Sequence, residues 1–174
     1  LLSGRYVEIR MLPLSFREYA GVNGEKRIDQ LYQEYLHRSS FPYALELENS
    51  KDVQQYLDGI YNSIIVKDII ARRRIGDVEM LKSVARFLFD NIGNMTSAKK
   101  IADTMTSAGR KISVHTVENY LDALTESFIF YQAGRYDIKG KQHLKTGDKY
   151  YAADIGLRYH VLGAKKADLG HILE

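Results

Sequence analysis

Thr116 and Asn119 are three residues apart, the spacing that sets two short polar side chains on one face of a helix. Near a helix N-terminus, a hydroxyl and an amide can reach phosphate oxygens or base edges. Lys99, Lys111, Lys139, Lys141 and Lys145 surround them in the sequence. Their ammonium groups would neutralise phosphates and release counterions. The chemistry these residues offer is non-covalent recognition of nucleic acid. Arg110, with Lys99, Lys111 and the later lysines, is placed for phosphate contact on the same reading. Glu118, Asp122 and Glu126 stand among them and would repel a phosphate backbone. From Thr96 to Tyr150 there are nine Lys/Arg and six Asp/Glu, a local net charge of +3. A dedicated DNA reader carries a stronger basic footprint. The same surface therefore also reads as a protein-docking face, and both readings stand.

Other chemistries find no support. Gly134 to Gln142 resembles a phosphate-binding loop at first sight. It has five residues between its glycines where such a loop has four, and Gln142 stands where a Ser or Thr should ligate magnesium. It also falls between two expected strands, so it reads as a turn. His37, His115, His143, His160 and His171 are scattered, without the i, i+4 pairing or HExxH of a zinc site. There is no GxSxG. The absence of cysteine rules out disulfides, thiol nucleophiles and thiolate metal sites. Carboxylates are many, but nothing converges with them as a catalytic pair would require.

The elements that must position Thr116 and Asn119 lie between residues 77 and 151. Asp77 caps a helix whose buried stripe is Val78, Leu81, Ala85, Leu88, Phe89 and Ile92. Ser97 caps a second, short helix ending at Gly109. Ser113 caps a third, with Val117, Tyr120, Leu121, Leu124 and Phe128 turned inward. Three short amphipathic helices bury their stripes only against each other. A strand over 128–136, a basic loop over 137–148 and a returning strand over 149–153 complete the pattern of a winged helix. The third helix then takes the place of a recognition helix. A short helix over 157–162 follows.

Upstream, residues 6–12 alternate and are expected to form a strand, ended by Pro13. Ser15 and Glu18 make a capping box for a short helix to Ala20. Residues 25–37 form a second helix, with Ile28, Leu31, Tyr32, Tyr35 and Leu36 on one face. Ser39, Ser40 and Pro42 form a loop. The longest helix, 50–73, carries Val53, Tyr56, Leu57, Ile60, Tyr61, Ile64 and Ile65 at helical spacing. Arg72, Arg73 and Arg74 at its end suit the helix dipole.

The chain has 174 residues, 45% of them hydrophobic, enough for one medium domain or two small ones with a packed core. Its net charge of +3 is mild. No apolar run approaches a membrane span, and no signal-peptide pattern is present. A cytoplasmic setting fits the lack of cysteine. Leu1 is not a start methionine, and the chain reads as a piece of something longer.

Several short segments, in order, resemble one family. Ser3-Gly4-Arg5, a strand, and Leu12-Pro13-Leu14-Ser15-Phe16-Arg17-Glu18-Tyr19 are similar to the end of the ATPase core in a large prokaryotic group of AAA-type ATPases that carry a C-terminal domain of unknown function. Ile60-Tyr61-Asn62 with Lys67-Asp68-Ile69, Asn91-Ile92-Gly93-Asn94, and Thr116-Val117-Glu118-Asn119-Tyr120-Leu121 agree in sequence order. The stretch Lys149 to Arg158 resembles that family's exit from the winged helix, and Gly170 to Glu174 the opening of a restriction-endonuclease-like domain.

The resemblance implies a mainly α fold with a small β component, a helical region plus a winged helix-turn-helix. Residues 1–49 would be the tail of the ATPase core and 50–76 a long connecting helix. Residues 77–162 would be the winged helix, and 163–174 a linker into a missing nuclease-like domain. It implies a parent that binds ATP and Mg and hydrolyses ATP, while this fragment holds no cofactor and no catalytic or metal residue. Arg5 could contact nucleotide or a neighbouring subunit, with a structural salt bridge as the alternative. The first function expected is a regulatory and interaction region, its winged helix docking on the ATPase core or a protein partner and its long helix transmitting nucleotide state. The alternative is a DNA-binding module. Partners are the ATPase core, the nuclease-like domain, a further protein or DNA, and no membrane. An unpaired strand over 6–12 could also dimerise the fragment.

Overall fold

The computed structural model describes residue 7 and residues 9–22, 24, 26–137 and 142–163. It is mainly helical with a two-stranded antiparallel sheet. The elements are α1 (Phe16–Val22), α2 (Ile28–His37), α3 (Pro42–Glu46), α4 (Ser50–Asn62), a π-helical segment (Ser63–Ile70), α5 (Ala71–Arg73), α6 (Val78–Asp90), α7 (Ala98–Ser107), α8 (Val114–Glu126), β1 (Phe130–Asp137), β2 (Gln142–Ala152) and α9 (Ile155–Leu162).

Helix starts follow their caps. Ser15 and Glu18 form the capping box: the Ser15 N–H and hydroxyl donate to Glu18 Oε2 at 2.8 and 2.7 Å, and the Glu18 N–H donates back to Ser15 Oγ at 3.4 Å. These bonds hold the exposed Glu18 carboxyl below its ordinary pKa, the Ser15 hydroxyl first and its backbone N–H second. Asp77, Ser97 and Ser113 accept the N–H groups of Met80, Lys100 and Thr116 at the starts of α6, α7 and α8. Each satisfies one of the orphan donors of a first turn.

Several expectations are corrected. Val7 and residues 9–12 are in no strand, because among the described residues no neighbouring strand accepts their backbone bonds. Their side chains lie open: Val7 is 88% exposed and Met11 84%. Pro42 opens α3 rather than sitting in a loop, since its missing N–H costs nothing at a first helical position. Helix α4 opens at Ser50 as expected, with Asn49 before it as the cap, accepting the Asp52 N–H. The long helix over 50–73 is continuous in path but passes through eight π-helical residues. Apolar spacing alone does not separate this from an α-helix, because Ile64, Ile65, Ile69 and Ile70 fit either period. β2 begins at Gln142, so most of the expected loop over 137–148 is strand.

The hairpin is more than two strands. Phe130 pairs with Ala152 and Gly134 with Asp148, before an irregularity between Gly134 and Tyr136. Thr96, in the α6–α7 loop, makes an antiparallel bridge to Asp148, with N–H···O distances of 2.9 and 2.8 Å. Gly147 sits at φ +88° against it, and a Cβ there would lie 2.8 Å from the Thr96 carbonyl oxygen. Only glycine fits both the conformation and the space.

The main core joins both halves of the chain. Val53, Leu57, Ile65 and Ile69 meet the α6 stripe of Leu81, Ala85, Leu88 and Phe89. Val117, Leu121 and Leu124 of α8, Phe130 of β1 and Leu157 of α9 close it. Burying each large side chain there is worth roughly 1.5–3 kcal/mol. A smaller aromatic group, Phe16, Tyr19, Tyr32 and Tyr35, packs edge-on beneath α1. Among the described residues no helix is long and apolar enough to cross a membrane.

Candidate functional site

Helix α8 separates two concavities of opposite charge. It is held at its start by Ser113, whose Oγ accepts the Thr116 N–H at 3.0 Å and lies 2.7 Å from Thr116 Oγ1. The Thr116 hydroxyl is thus drawn into the cap. Asn119 Nδ2 lies 3.5 Å from His115 Nε2, one turn earlier.

On one side, Thr116, Asn119 and Tyr120 face Arg73, Arg74 and Gly76 across a cavity of about 390 Å³. Arg74 ends α5 in the left-handed region at φ +50°. Arg73 is bound to Glu126, farther along α8. The arginine run at the end of the long helix therefore meets the two polar residues singled out on α8. Sequence separation hides that meeting: the two groups are more than forty positions apart.

On the other side, Glu118, Leu121 and Asp122 of α8 face Thr96 and Lys99 of the α7 start and Asp148 of β2, across a cavity of about 330 Å³. Asp148 accepts a hydrogen bond from Gln132 Nε2 at 2.7 Å. Tyr150, at the back of this cavity, has its hydroxyl pKa pushed up to about 12, by burial first and then by the negative charges of Asp148 and Asp122.

The remaining expected site residues are dispersed. Lys99 lies beside the acidic carboxylates, away from Thr116 and Asn119. Lys111 is exposed in the turn before α8 and lines neither cavity. Lys145 has its backbone in β2, while Lys139, Lys141 and Arg5 lie outside the described residues. Arg110 is not free for phosphate. It donates to Ser83 Oγ at 2.8 Å and to the Asp77 carboxylate at 3.2 Å, which ties the α7–α8 turn to the start of α6. Among the described residues no group of His, Cys, Asp or Glu could hold a metal ion.

A third cluster is a structural seam. Asp154 is buried and caps α9 through the Leu157 N–H. Its other oxygen accepts the Ser40 N–H and hydroxyl, both at 2.7 Å. Two residues on, a Cβ on Gly156 would lie 2.4 Å from Ser39 Cα and 2.5 Å from the Arg38 carbonyl. Arg158, also buried, donates its Nε–H to the Phe89 carbonyl at the end of α6, at 2.7 Å. Thus Asp154-Ile155-Gly156-Leu157-Arg158 fastens the α2–α3 loop and the end of α6 to one helix. The acid before a helix is visible in the sequence as a lead-in to α9. Its partner Ser40, 114 positions away, is not.

The family model described as "Domain of unknown function (DUF8612)" matches residues 29–168. An uncharacterized protein of Haemophilus influenzae is 43% identical over 178 aligned positions, covering all of this chain and 44% of its own length. The uncharacterized protein MJ1544 of Methanocaldococcus jannaschii is 26% identical over 155 positions, covering 80% of this chain and 34% of its own. The chain thus spans less than half the length of these curated relatives. No solved structure matches it.

Proposed function

We propose that this chain, which belongs to the DUF8612 family of domains of unknown function, is a non-catalytic interaction region of a longer prokaryotic AAA-type ATPase, in which residues 77–162 act as a winged helix that docks on the ATPase core or on a protein partner. The order helix, bridge residue, helix, helix and hairpin supports a winged helix, with Thr96 as its short first strand. The observation that carries docking on protein is the surface of α8. Glu118, Asp122 and Glu126 line it where a DNA reader needs donors. The open apolar side chains of Val7, Ile9, Met11 and Leu12 also favour a further body covering this segment. The path from α4 through the π-helical segment to Arg73, bound to Glu126 of α8, offers a route for nucleotide state to reach the docking face.

The test uses the full-length Haemophilus influenzae relative. It should hydrolyse ATP, and ATP should change hydrogen exchange in the segments matching α4–α5 and α8. An inert protein with no nucleotide-dependent exchange would sink the reading.

A second reading, a DNA-binding module, is favoured by one observation: Arg73 and Arg74 share a cavity with Thr116 and Asn119. Anisotropy of a labelled duplex titrated at several salt concentrations decides it. Salt-sensitive binding, weakened by R73A/R74A, would support DNA. No binding at low salt would remove it.

A further inference from the structure

We infer that the groove between α8, the first turn of α7 and β2 receives a short basic segment of a partner protein, carrying a Lys or Arg flanked by apolar side chains. This rests on the protein-docking reading and names the chemistry of the partner.

Three carboxylates line the groove: Glu118 and Asp122, one turn apart on α8, and Asp148 across from them. Like charges four apart on a helix oppose each other. Among the described residues little compensates them. Asp122 makes no salt bridge among the described residues; Glu118 has only His115, at 3.7 Å and charged only when protonated; Asp148 takes a neutral amide. Lys99 is the one cation lining the groove among the described residues, and it too makes no salt bridge there. Behind burial, Asp148 and Asp122 both raise the pKa of Tyr150, which lines the same groove.

An independent feature points the same way. Thr96 lines the groove, is only 4% exposed, and its hydroxyl has no hydrogen-bond partner among the described residues. A buried polar group left unpaired is costly, and a polar group brought by a partner would satisfy it. Two apolar side chains border it. Val114 is 40% exposed at one end, and Met95, also 40% exposed, has its methyl beside Gly147. Methionine adapts its shape to a ligand side chain. Carboxylates beside these apolar side chains complement a basic, partly apolar segment and repel phosphate. A cavity of about 330 Å³ accommodates side chains of a short segment, not a folded domain.

The experiment titrates the whole chain against three labelled probes: a short peptide alternating Leu with Lys and Arg, the same peptide with Glu for the basic residues, and a short DNA duplex. The basic peptide should bind and weaken with salt, and E118K/D122K should weaken it roughly tenfold, the size of one or two rim ion pairs removed and reversed. E118Q/D122N should weaken it less, and R74A, on the other side of α8, should leave it unchanged. Thermal melting of each variant checks that it folds. The inference fails if the charge-reversed chain binds the basic peptide as well as the parent, if the acidic peptide binds equally, or if only the duplex binds. If it fails while ATP still alters exchange at α8 in the full-length relative, the groove is wrong and protein docking stands. If the peptide binds but no nucleotide effect is found, the groove stands without the ATPase.

Discussion

Asp154 and Asp122 are the same residue in opposite circumstances. Asp154 is 2% exposed, and its two oxygens take three hydrogen bonds, from Leu157, Ser40 N–H and Ser40 hydroxyl. Asp122 is exposed, faces two other carboxylates and has no salt bridge among the described residues. The first is a carboxylate that the fold buries and bonds three times. It holds two distant parts of the chain together and, being buried, is closed to a ligand. The second contributes little to the fold and keeps its field for something outside. Buried charge is retained where it is fully bonded, and exposed like charge is informative where it goes uncompensated. The contrast separates the seam around α9, which builds the molecule, from the surface of α8, the proposed docking face.

The strongest way to break the contrast is at the seam. Gly156→Ala places a methyl 2.4–2.5 Å from the backbone of Arg38 and Ser39. It should cost roughly 3 kcal/mol, the upper range for overpacking a tight contact, read as a fall in Tm. An unchanged Tm would show that the α2–α3 loop is not fastened to α9. Gly147→Ala tests the support of the acidic groove in the same way. With φ +88° and the Thr96 carbonyl at 2.8 Å, it should cost about 1–3 kcal/mol and open the bridge to Asp148, seen as faster exchange of the Thr96 and Asp148 amides.

Alkaline titration sharpens the comparison. Tyr61 and Tyr150 have pKa values pushed up to about 12, burial being the first cause in both. In the unfolded chain they lose their protons near the ordinary value of about 10. Their folded pKa is raised, so the neutral form is favoured in the native state. The stability this supplies is complete below about pH 10 and is lost as pH rises toward about 12. Tm should fall across that window. Asp122→Asn should lower the Tyr150 value by removing one of its negative neighbours, while leaving Tyr61 unmoved. Equal values in both proteins would place Asp122 away from Tyr150. The smallest effect is on stability itself. Glu118→Gln with Asp122→Asn should change it by no more than about 0.5 kcal/mol, in the stabilising direction, because a like-charge pair is relieved.

Much of this contrast is legible in the sequence. The caps Asp77, Ser97 and Ser113, the capping box of Ser15 with Glu18, and the stripes of α6 and α8 are local signals, and the local backbone obeys them. The polar pair Thr116 and Asn119 and the acids beside them are legible as well, since helical spacing assigns faces. What is not legible depends on distant partners. Ser40 and Asp154, or Arg74 and Asn119, meet only through the packing of α2, α5, α8 and α9. Local cues also mislead. Pro42 reads as a loop until it is seen at a helix start, and the alternation over 6–12 gives a strand only where another strand lies beside it. Gly147 and neighbouring lysines read as loop, yet the bridge from Thr96 makes a glycine necessary within β2.

The central claim is that Asp154 is structural and Asp122 is for recognition. It is tested most directly by comparing Asp154→Asn and Asp122→Asn in one thermal melt and one titration with the basic peptide. Asn at 154 weakens a cap and loses the charge that binds Ser40. It should cost on the order of 2–3 kcal/mol, roughly 4–12 °C in Tm for a chain of this size. Asn at 122 should leave Tm unchanged and weaken the peptide severalfold. If Asp122→Asn lowered Tm as far as Asp154→Asn, or left peptide binding intact, the division between a seam that builds and a face that binds would be contradicted.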